Sequence, residues 1–98
     1  MITRIVKLQI APENKDKFIE LFSNSKTTIK SQDGCYGVKL LQLCGDEQNI
    51  FFTYSHWESE AHLNQYRESA FFEKTWKATK SLFNGKPEAW SVNELQAI

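Results

Sequence analysis

The feature that most constrains the fold is the order in which the hydrophobic pattern changes its period along the chain. A two-residue alternation over 2–10 gives way to a helical spacing, and strand-like segments at 35–43 and 50–57 follow, separated by a polar loop at 45–49. A second helical region precedes a last strand at 88–95. Because βαβ crossovers are right-handed, this order predicts a single βαββαβ domain over all 98 residues. Its fold class is α+β, a four-stranded antiparallel sheet with the helices on one face.

The helical segments have recognisable starts and ends. Pro12 suits the first turn of the first helix, and Gly34 is a typical stop for it. Ser59 and Ser69 are good N-caps for a short helix through Arg67 and a longer one over 70–83, so the second crossover is predicted to be a broken helix. The two longer helices present apolar stripes at helical spacing: Phe18, Leu21, Phe22, Ser25 and Ile29 in the first, and Phe72, Trp76, Thr79 and Phe83 in the second.

One face of the predicted sheet is left without helices. Side chains alternate across a strand, and for the first strand the set pointing away from the helices is Thr3, Ile5, Lys7 and Gln9. In the third strand either parity leaves large rings outward, Phe51 with Trp57 or Phe52 with Tyr54. An exposed contiguous apolar patch usually marks a contact surface. We therefore expect a homodimer in which two sheets pack face to face.

Charge and cysteine content exclude several classes of function. The 12 basic and 12 acidic residues cancel, whereas a nucleic-acid partner would require a basic face. No apolar run reaches the roughly 18–20 residues of a membrane span, and residues 1–5 carry no secretory signal, so a membrane partner is not expected. Cys35 and Cys44 form no CxxC pair and lack histidines at ligand spacing. We expect two reduced thiols, no metal site and a cytoplasmic protein.

Two stretches carry a resemblance to a known family. The third strand runs into the short helix through Trp57-Glu58-Ser59-Glu60-Ala61, and the second strand is entered through residues 34–37, Gly-Cys-Tyr-Gly. Over essentially the whole chain this resembles the antibiotic biosynthesis monooxygenase (ABM) family of small ferredoxin-like proteins that form dimeric α+β barrels. The resemblance implies a homodimer with a pocket between helices and sheet in each subunit. The family includes metal- and flavin-free monooxygenases of phenolic polyketides or quinols, haem-degrading enzymes, and an enzyme that processes a quorum-sensing sugar phosphate.

The functional residues of the individual branches match this sequence poorly. The haem-degrading branch uses Asn, Trp and His at the positions that Val6, Tyr66 and Trp76 occupy here, so haem degradation is not favoured. The quinol and sugar-phosphate branches often carry Thr-Pro-His ahead of the long helix, where this chain has Ser-Ala-Phe-Phe at 69–72. The polyketide branch uses polar and aromatic residues on the short helix, and His62 and Tyr66 are a partial match.

Oxygenation without a cofactor sets clear chemical demands. Triplet O2 reacts slowly with ordinary organic molecules, so the substrate must become an electron-rich anion while the protein removes a proton, holds the anion and excludes water. His62 is the candidate catalytic base, and Tyr66, four residues on along the same helix face, would hydrogen-bond the oxyanion. The candidate substrate-binding residues are Trp76 and Phe72 as a stacking wall, Arg4 for an anionic group, and Val6 and His56.

These observations predict a cofactor-independent monooxygenase, an oxidoreductase that acts with O2 on a small aromatic, phenolic or quinol-like substrate. Two alternatives stay open: an isomerase or ligand-binding protein of the same fold, and a purely structural dimer with a filled core. Each site residue also has a structural interpretation, in which His62 is solvated, Trp76 belongs to the core and Arg4 reaches water from a strand end. A cavity beside His62 and Tyr66 would favour a monooxygenase, an isomerase or a ligand-binding protein over a purely structural dimer.

Overall fold

The computed structural model describes residues 1–45 and 49–98, and it contains one four-stranded antiparallel sheet with three α-helices. In chain order the elements are β1 (Ile2–Gln9), a 3₁₀ turn (Pro12–Asn14), α1 (Lys15–Lys30), β2 (Cys35–Gln42), β3 (Ile50–Trp57), α2 (Glu60–Arg67), α3 (Ala70–Lys80) and β4 (Glu88–Val92). The sheet order is β2-β3-β1-β4, so the predicted βαββαβ architecture is confirmed. The hairpin loop predicted between β2 and β3 falls mainly on residues 46–48, which lie outside the described residues.

The helices cover the sheet face that the alternation in β1 indicated. Leu8 and the adjoining Ile10 are buried on this side, and Leu8 lies opposite Phe51 of β3. The structure also determines the parity of β3, which the sequence left open. Phe51 and Trp57 face the helices, so Phe52, Tyr54 and the other even-numbered side chains of β3 lie on the uncovered outer face.

The closely packed core occupies the two ends of the interior and leaves its middle open. Leu8, Ile10, Phe18 and Phe51 form a buried cluster, against which partly buried side chains of the α3 region pack. Trp57, which is 1% exposed, is buried at the other end of β3. The two buried rings of β3 are six residues apart, roughly 20 Å at the usual rise of a strand. Each large apolar side chain buried in this way contributes about 1.5–3 kcal/mol.

Both predicted N-caps are present. The Ser59 hydroxyl accepts a hydrogen bond from the backbone N–H of His62 at 3.3 Å, and the Ser69 hydroxyl accepts one from the N–H of Phe72 at 3.1 Å. These bonds satisfy N–H groups that the first helical turn leaves unpaired. The second crossover is therefore two helices, as its serines indicated.

Three predicted boundaries are wrong. α3 ends at Lys80 and not at Phe83, because residues 82–84 form strand-like hydrogen bonds with the end of β1: Ala11 N–H donates to Leu82 O at 3.0 Å and Asn84 N–H to Gln9 O at 3.1 Å. β4 stops at Val92 and not at 95, where its pairing with β1 ends at Thr3. The helix expected from residue 12 begins as a 3₁₀ turn, with α1 proper starting at 15.

None of the described helices is long and apolar enough to cross a membrane.

Candidate functional site

A cavity of about 280 Å³ lies between the sheet and the three helices. Its floor consists of inward side chains of the central strands, chiefly Arg4, Val6, Leu8, Thr53, Ser55 and Trp57. The stripe predicted on α1 lines it from above, together with residues of α2 and α3. Ligand pockets generally measure about 300–1,000 Å³, so this cavity suits a small molecule of one or two rings.

Two hydroxyl groups on the helical side of the cavity, those of Ser25 and Thr79, are already bonded within their own helices. Ser25 Oγ donates to the Leu21 carbonyl at 2.7 Å, and Thr79 Oγ1 donates to the Thr75 carbonyl at 2.8 Å. Such bonds to the preceding turn satisfy a hydroxyl without any ligand. A molecule in the cavity therefore meets mainly aliphatic and aromatic carbon on this side.

A continuous row of aromatic rings runs along the cavity. Trp57 and Tyr66 stack with ring centroids 5.1 Å apart, and Tyr66 meets Phe72 edge-on at 5.1 Å. The rings of Phe72 and Trp76 are nearly parallel, with centroids 6.0 Å apart and an interplanar angle of 11°. Phe72 and Trp76 thus lie together on the cavity wall, where the sequence placed a stacking surface. Offset and edge-on pairs of this kind contribute about 0.5–1.5 kcal/mol each beyond the area they bury.

Tyr66 brings a phenol group to this wall. Burial raises the pKa of Tyr66 to about 12, and the nearby Cys35 adds to the increase. At neutral pH the side chain is therefore a neutral hydrogen-bond donor and not a base. That protonation state suits the role of donor to a substrate oxyanion that the sequence suggested for it.

The raised pKa of Tyr66 predicts a specific loss of stability at alkaline pH. The unfolded phenol ionises near its ordinary value of 10 and the folded one near 12, so stability is fully present below pH 10 and falls as pH rises toward 12. We expect the stability difference between wild type and Tyr66→Phe to shift by about 2–3 kcal/mol over that window. Urea unfolding at pH 9, 10, 11 and 12 measures it. A difference that does not change with pH would contradict the buried state of the phenol.

His62 does not line the cavity. Its Nδ1 lies 2.7 Å from Ser59 Oγ, and its Nε2 lies 3.2 Å from Oε2 of Glu58 and 3.8 Å from Oδ2 of Asp33. If the Ser59 hydroxyl donates a hydrogen bond to Nδ1, the neutral imidazole carries its proton on Nε2. The Nε2–H group then donates a hydrogen bond to Oε2 of Glu58. The expectation that His62 points into the pocket beside Tyr66 is therefore not met. Its imidazole is held at the protein surface by polar neighbours.

Gly34 explains where the His62 ring goes. The turn after α1 gives Gly34 a φ of 78°, and a Cβ at this position would lie 2.6 Å from Cβ of His62 and against its ring. The imidazole occupies the space that the missing side chain leaves. The same α2 helix turns Leu63 and Tyr66 toward the cavity, so His62 is at the edge of its inward face.

His56 also lies away from the cavity. It is on the outer face of the sheet, where its Nδ1 is 3.0 Å from Thr3 Oγ1 and its ring meets Tyr54 edge-on at 5.0 Å. The alternation that puts Trp57 and Ser55 inside puts His56 outside. His56 therefore does not line the cavity of its own subunit, although the sequence suggested it as a substrate-binding residue.

Arg4 and Arg67 give the cavity its positive charge. Arg4 and Val6, two of the candidate substrate-binding residues, line the cavity. Nη1 of Arg4 donates to Ser91 Oγ at 3.1 Å. Arg67, the last residue of α2, also lines the cavity, although it is not among the site residues predicted from the sequence. The signal was its position four residues after Leu63, on the same helical face. Burial lowers the pKa of Arg4, and the charge of Arg67 lowers it further.

Comparison with known proteins agrees with this architecture. The sequence model of the antibiotic biosynthesis monooxygenase family matches residues 1–78. A conserved protein from Methanosarcina mazei Go1 is 20% identical, with 96% of this chain and 93% of that chain covered and a TM-score of 0.87. Rv0793 from Mycobacterium tuberculosis is 14% identical, with 98% of this chain and 96% of that chain covered and a TM-score of 0.86. A protein solved as an antibiotic biosynthesis monooxygenase is 16% identical, with 98% of this chain and 100% of that chain covered and a TM-score of 0.88. These likenesses establish the shared fold.

The curated proteins include no significant match to the sequence. Within residues 1–45 and 49–98, no cluster of three or more His, Cys, Asp or Glu side chains is arranged to hold a metal ion. Both cysteines, Cys35 and Cys44, are free thiols.

Proposed function

This chain belongs to the antibiotic biosynthesis monooxygenase family, and we propose that it is a cofactor-independent monooxygenase acting with O2 on a small aromatic, phenolic or quinol-like substrate. The observation that carries the proposal is the cavity itself, a mainly apolar space walled by aromatic rings with one half-buried, neutral phenol. A mainly apolar site of this kind favours a planar aromatic ligand and limits the contact of a reactive anion with water.

The reaction requires no electrons from the protein. A phenol that becomes a quinone loses its hydroxyl hydrogen and one ring hydrogen and gains one oxygen atom from O2. The second oxygen atom leaves as water, so the electrons that reduce O2 all come from the substrate. The site must favour the ionised substrate and position it for attack by O2.

The lining residues can carry these tasks without a histidine. Tyr66 would donate a hydrogen bond to the substrate oxyanion, and Phe72 and Trp76 would stack on its ring beside Val6. The charge of Arg4 would lower the pKa of the bound phenol, because an opposite charge favours the ionised form. The proton then passes to water at the open side of the cavity. His62 has no part in the proposal, since it lies outside the lining.

We propose further that the protein is a homodimer that assembles through the outer face of the sheet. This face carries the rings of Phe52 and Tyr54, and Ile5 of β1 lies in register between Tyr54 of β3 and Trp90 of β4. Trp90 is 44% exposed in the single chain. A contiguous apolar surface of this kind on a small domain favours a contact between copies.

Oxygen uptake with dihydroxynaphthalenes tests the proposal. We expect uptake above the rate of spontaneous oxidation, and Tyr66→Phe to lower kcat/KM by about 10–100-fold through loss of the oxyanion donor. Tyr36→Phe is the matched control, because the Tyr36 hydroxyl is exposed and bonded to Glu58. His62→Ala should leave uptake unchanged. Uptake no faster than spontaneous oxidation across a series of hydroquinones would remove the monooxygenase assignment.

A non-oxygenase function is the second candidate, either an isomerase or a ligand-binding protein of the same fold. The observation that favours it is the absence of any imidazole among the side chains that line the cavity in the described part of the chain. Binding of aromatic ligands without oxygen uptake would identify this function.

A further inference from the structure

We infer that the ligand of this cavity is a hydroxylated aromatic acid whose carboxylate is held between the guanidinium groups of Arg4 and Arg67. The inference rests on the proposed function in taking this cavity as the substrate site, and it names the class of substrate. It follows from the position of the two arginines, the lack of anions beside them and the apolar character of the remaining lining.

The two arginines reach the same cavity from opposite sides. Arg4 projects from the sheet floor, where Ser55 and Ser91 are its neighbours in register on the adjacent strands. Arg67 comes from the helical side, at the end of α2 and directly after Tyr66. β4, next to Arg4, is exposed along its whole length, so the cationic region lies toward the open edge of the sheet.

Neither guanidinium group is neutralised by the protein. Among the described residues, no carboxylate oxygen lies within the 4.0 Å of an ion pair from Arg4 or Arg67. Glu60 acts on Arg4 only as a more distant opposing charge. Glu88 also lines the cavity, but its Oε1 is 3.9 Å from Lys7 Nζ. The cavity lining therefore contains two cations, Arg4 and Arg67, without a close counter-ion among the described residues.

A bound anion would reduce the repulsion between the two guanidinium groups, whereas a neutral ligand would not. Burial and the charge of Arg67 both lower the pKa of Arg4, as expected for a partly desolvated cation beside another cation. A bound carboxylate would replace that repulsion by charge-assisted hydrogen bonds, and its planar shape fits a guanidinium fork. A carboxylate is also ionised at neutral pH without help from the protein.

The rest of the lining specifies the remainder of the molecule. The wall of Phe72 and Trp76 favours a flat ring, and Tyr66 lies beside Arg67 in sequence and points into the same space. A ring hydroxyl at Tyr66 and a carboxylate at the arginines would use both kinds of polar group. This places the acidic group at the open side and the ring inside.

Isothermal titration calorimetry with 2-naphthoate and 2-naphthamide tests the inference. The two probes share one ring system and differ in charge. We expect the acid to bind wild type at least about tenfold more tightly than the amide, with an affinity that falls as salt is raised. Arg4→Gln should weaken naphthoate binding about tenfold and Arg67→Gln at least about threefold, since Arg67 is the more exposed cation. Both variants should bind the amide as wild type does.

Lys74→Gln is the matched control, because Lys74 is an exposed cation of α3 that does not line the cavity. Equal affinity of wild type for acid and amide, or no measurable binding of the acid, would overturn the inference without need of any variant. Wild-type affinity for the acid in both arginine variants would also overturn it. Since binding is measured without turnover, acid preference in a protein that consumes no oxygen would end only the monooxygenase proposal. Oxygen uptake without acid preference would end only the inference.

Discussion

Gly34→Ala is expected to lower the free energy of unfolding by about 2–4 kcal/mol, since two costs fall on the same position. Gly34 has a φ of 78°, a left-handed conformation that costs an L-residue about 1–2 kcal/mol. The added Cβ would also collide with the His62 ring. Moving the ring would break its contacts with Ser59 and Glu58, at about 0.5–1.5 kcal/mol for each hydrogen bond.

Gly45→Ala separates these two costs. Gly45 also has a positive φ, of 66°, but a Cβ there meets no atom of the described residues within 4 Å. We expect only the backbone cost of about 1–2 kcal/mol for this variant. His62→Ala combined with Gly34→Ala should recover about 1–2 kcal/mol relative to the sum of the single changes. Urea unfolding of the four variants measures the backbone cost, the cost of displacing the His62 ring and the coupling between the two positions. If the two glycine variants lost equal stability, the packing of His62 against Gly34 would be wrong.

Ile5→Lys is expected to dissociate the proposed dimer almost completely while the subunit stays folded. Ile5 is on the central strand, between Tyr54 and Trp90 in register, so it lies in the middle of the outer face. Symmetry places the substituted residue at the interface twice. Burying an uncompensated charge costs about 3–5 kcal/mol, so two would raise Kd by at least about 1,000-fold.

Sedimentation equilibrium of wild type and Ile5→Lys measures this effect, with circular dichroism to confirm folding. Ile19→Lys is the matched control, since it makes the same substitution at a 38% exposed position on α1, away from the sheet. The control should remain dimeric. A wild type that is monomeric at tens of micromolar would contradict the proposed assembly, as would an Ile5→Lys variant that still dimerises.

The fold was predictable where it depends on short-range patterns. The alternation in β1 and the stripe on α1 each identify one face, because the period of the side chains is a local property. Ser59 and Ser69 identified two helix starts for the same reason, since a cap acts on its own first turn. The end of α3 was missed because residues 82–84 pair with the end of β1, a contact between segments distant in sequence.

The site was less predictable because it depends on the rotation of α2 against the sheet. His62 and Tyr66 are separated by about 40° around the helix, which is enough for one ring to face the cavity and the other to rest on Gly34. Sequence spacing cannot distinguish these outcomes. Arg67 was overlooked because a cation in the last turn of a helix is common for reasons unrelated to binding. The parity of β3 was undetermined because both of its faces carry large rings.

The three tryptophans give the two proposed events separate optical signals. Trp57 and Trp76 line the cavity, whereas Trp90 lies on the outer face. Indole emission responds to nearby ligands and to the polarity of its surroundings. A molecule entering the cavity changes the emission of the first pair, and assembly shifts that of Trp90 to shorter wavelength. With Trp90 replaced by Phe, the remaining fluorescence reports on cavity occupancy alone.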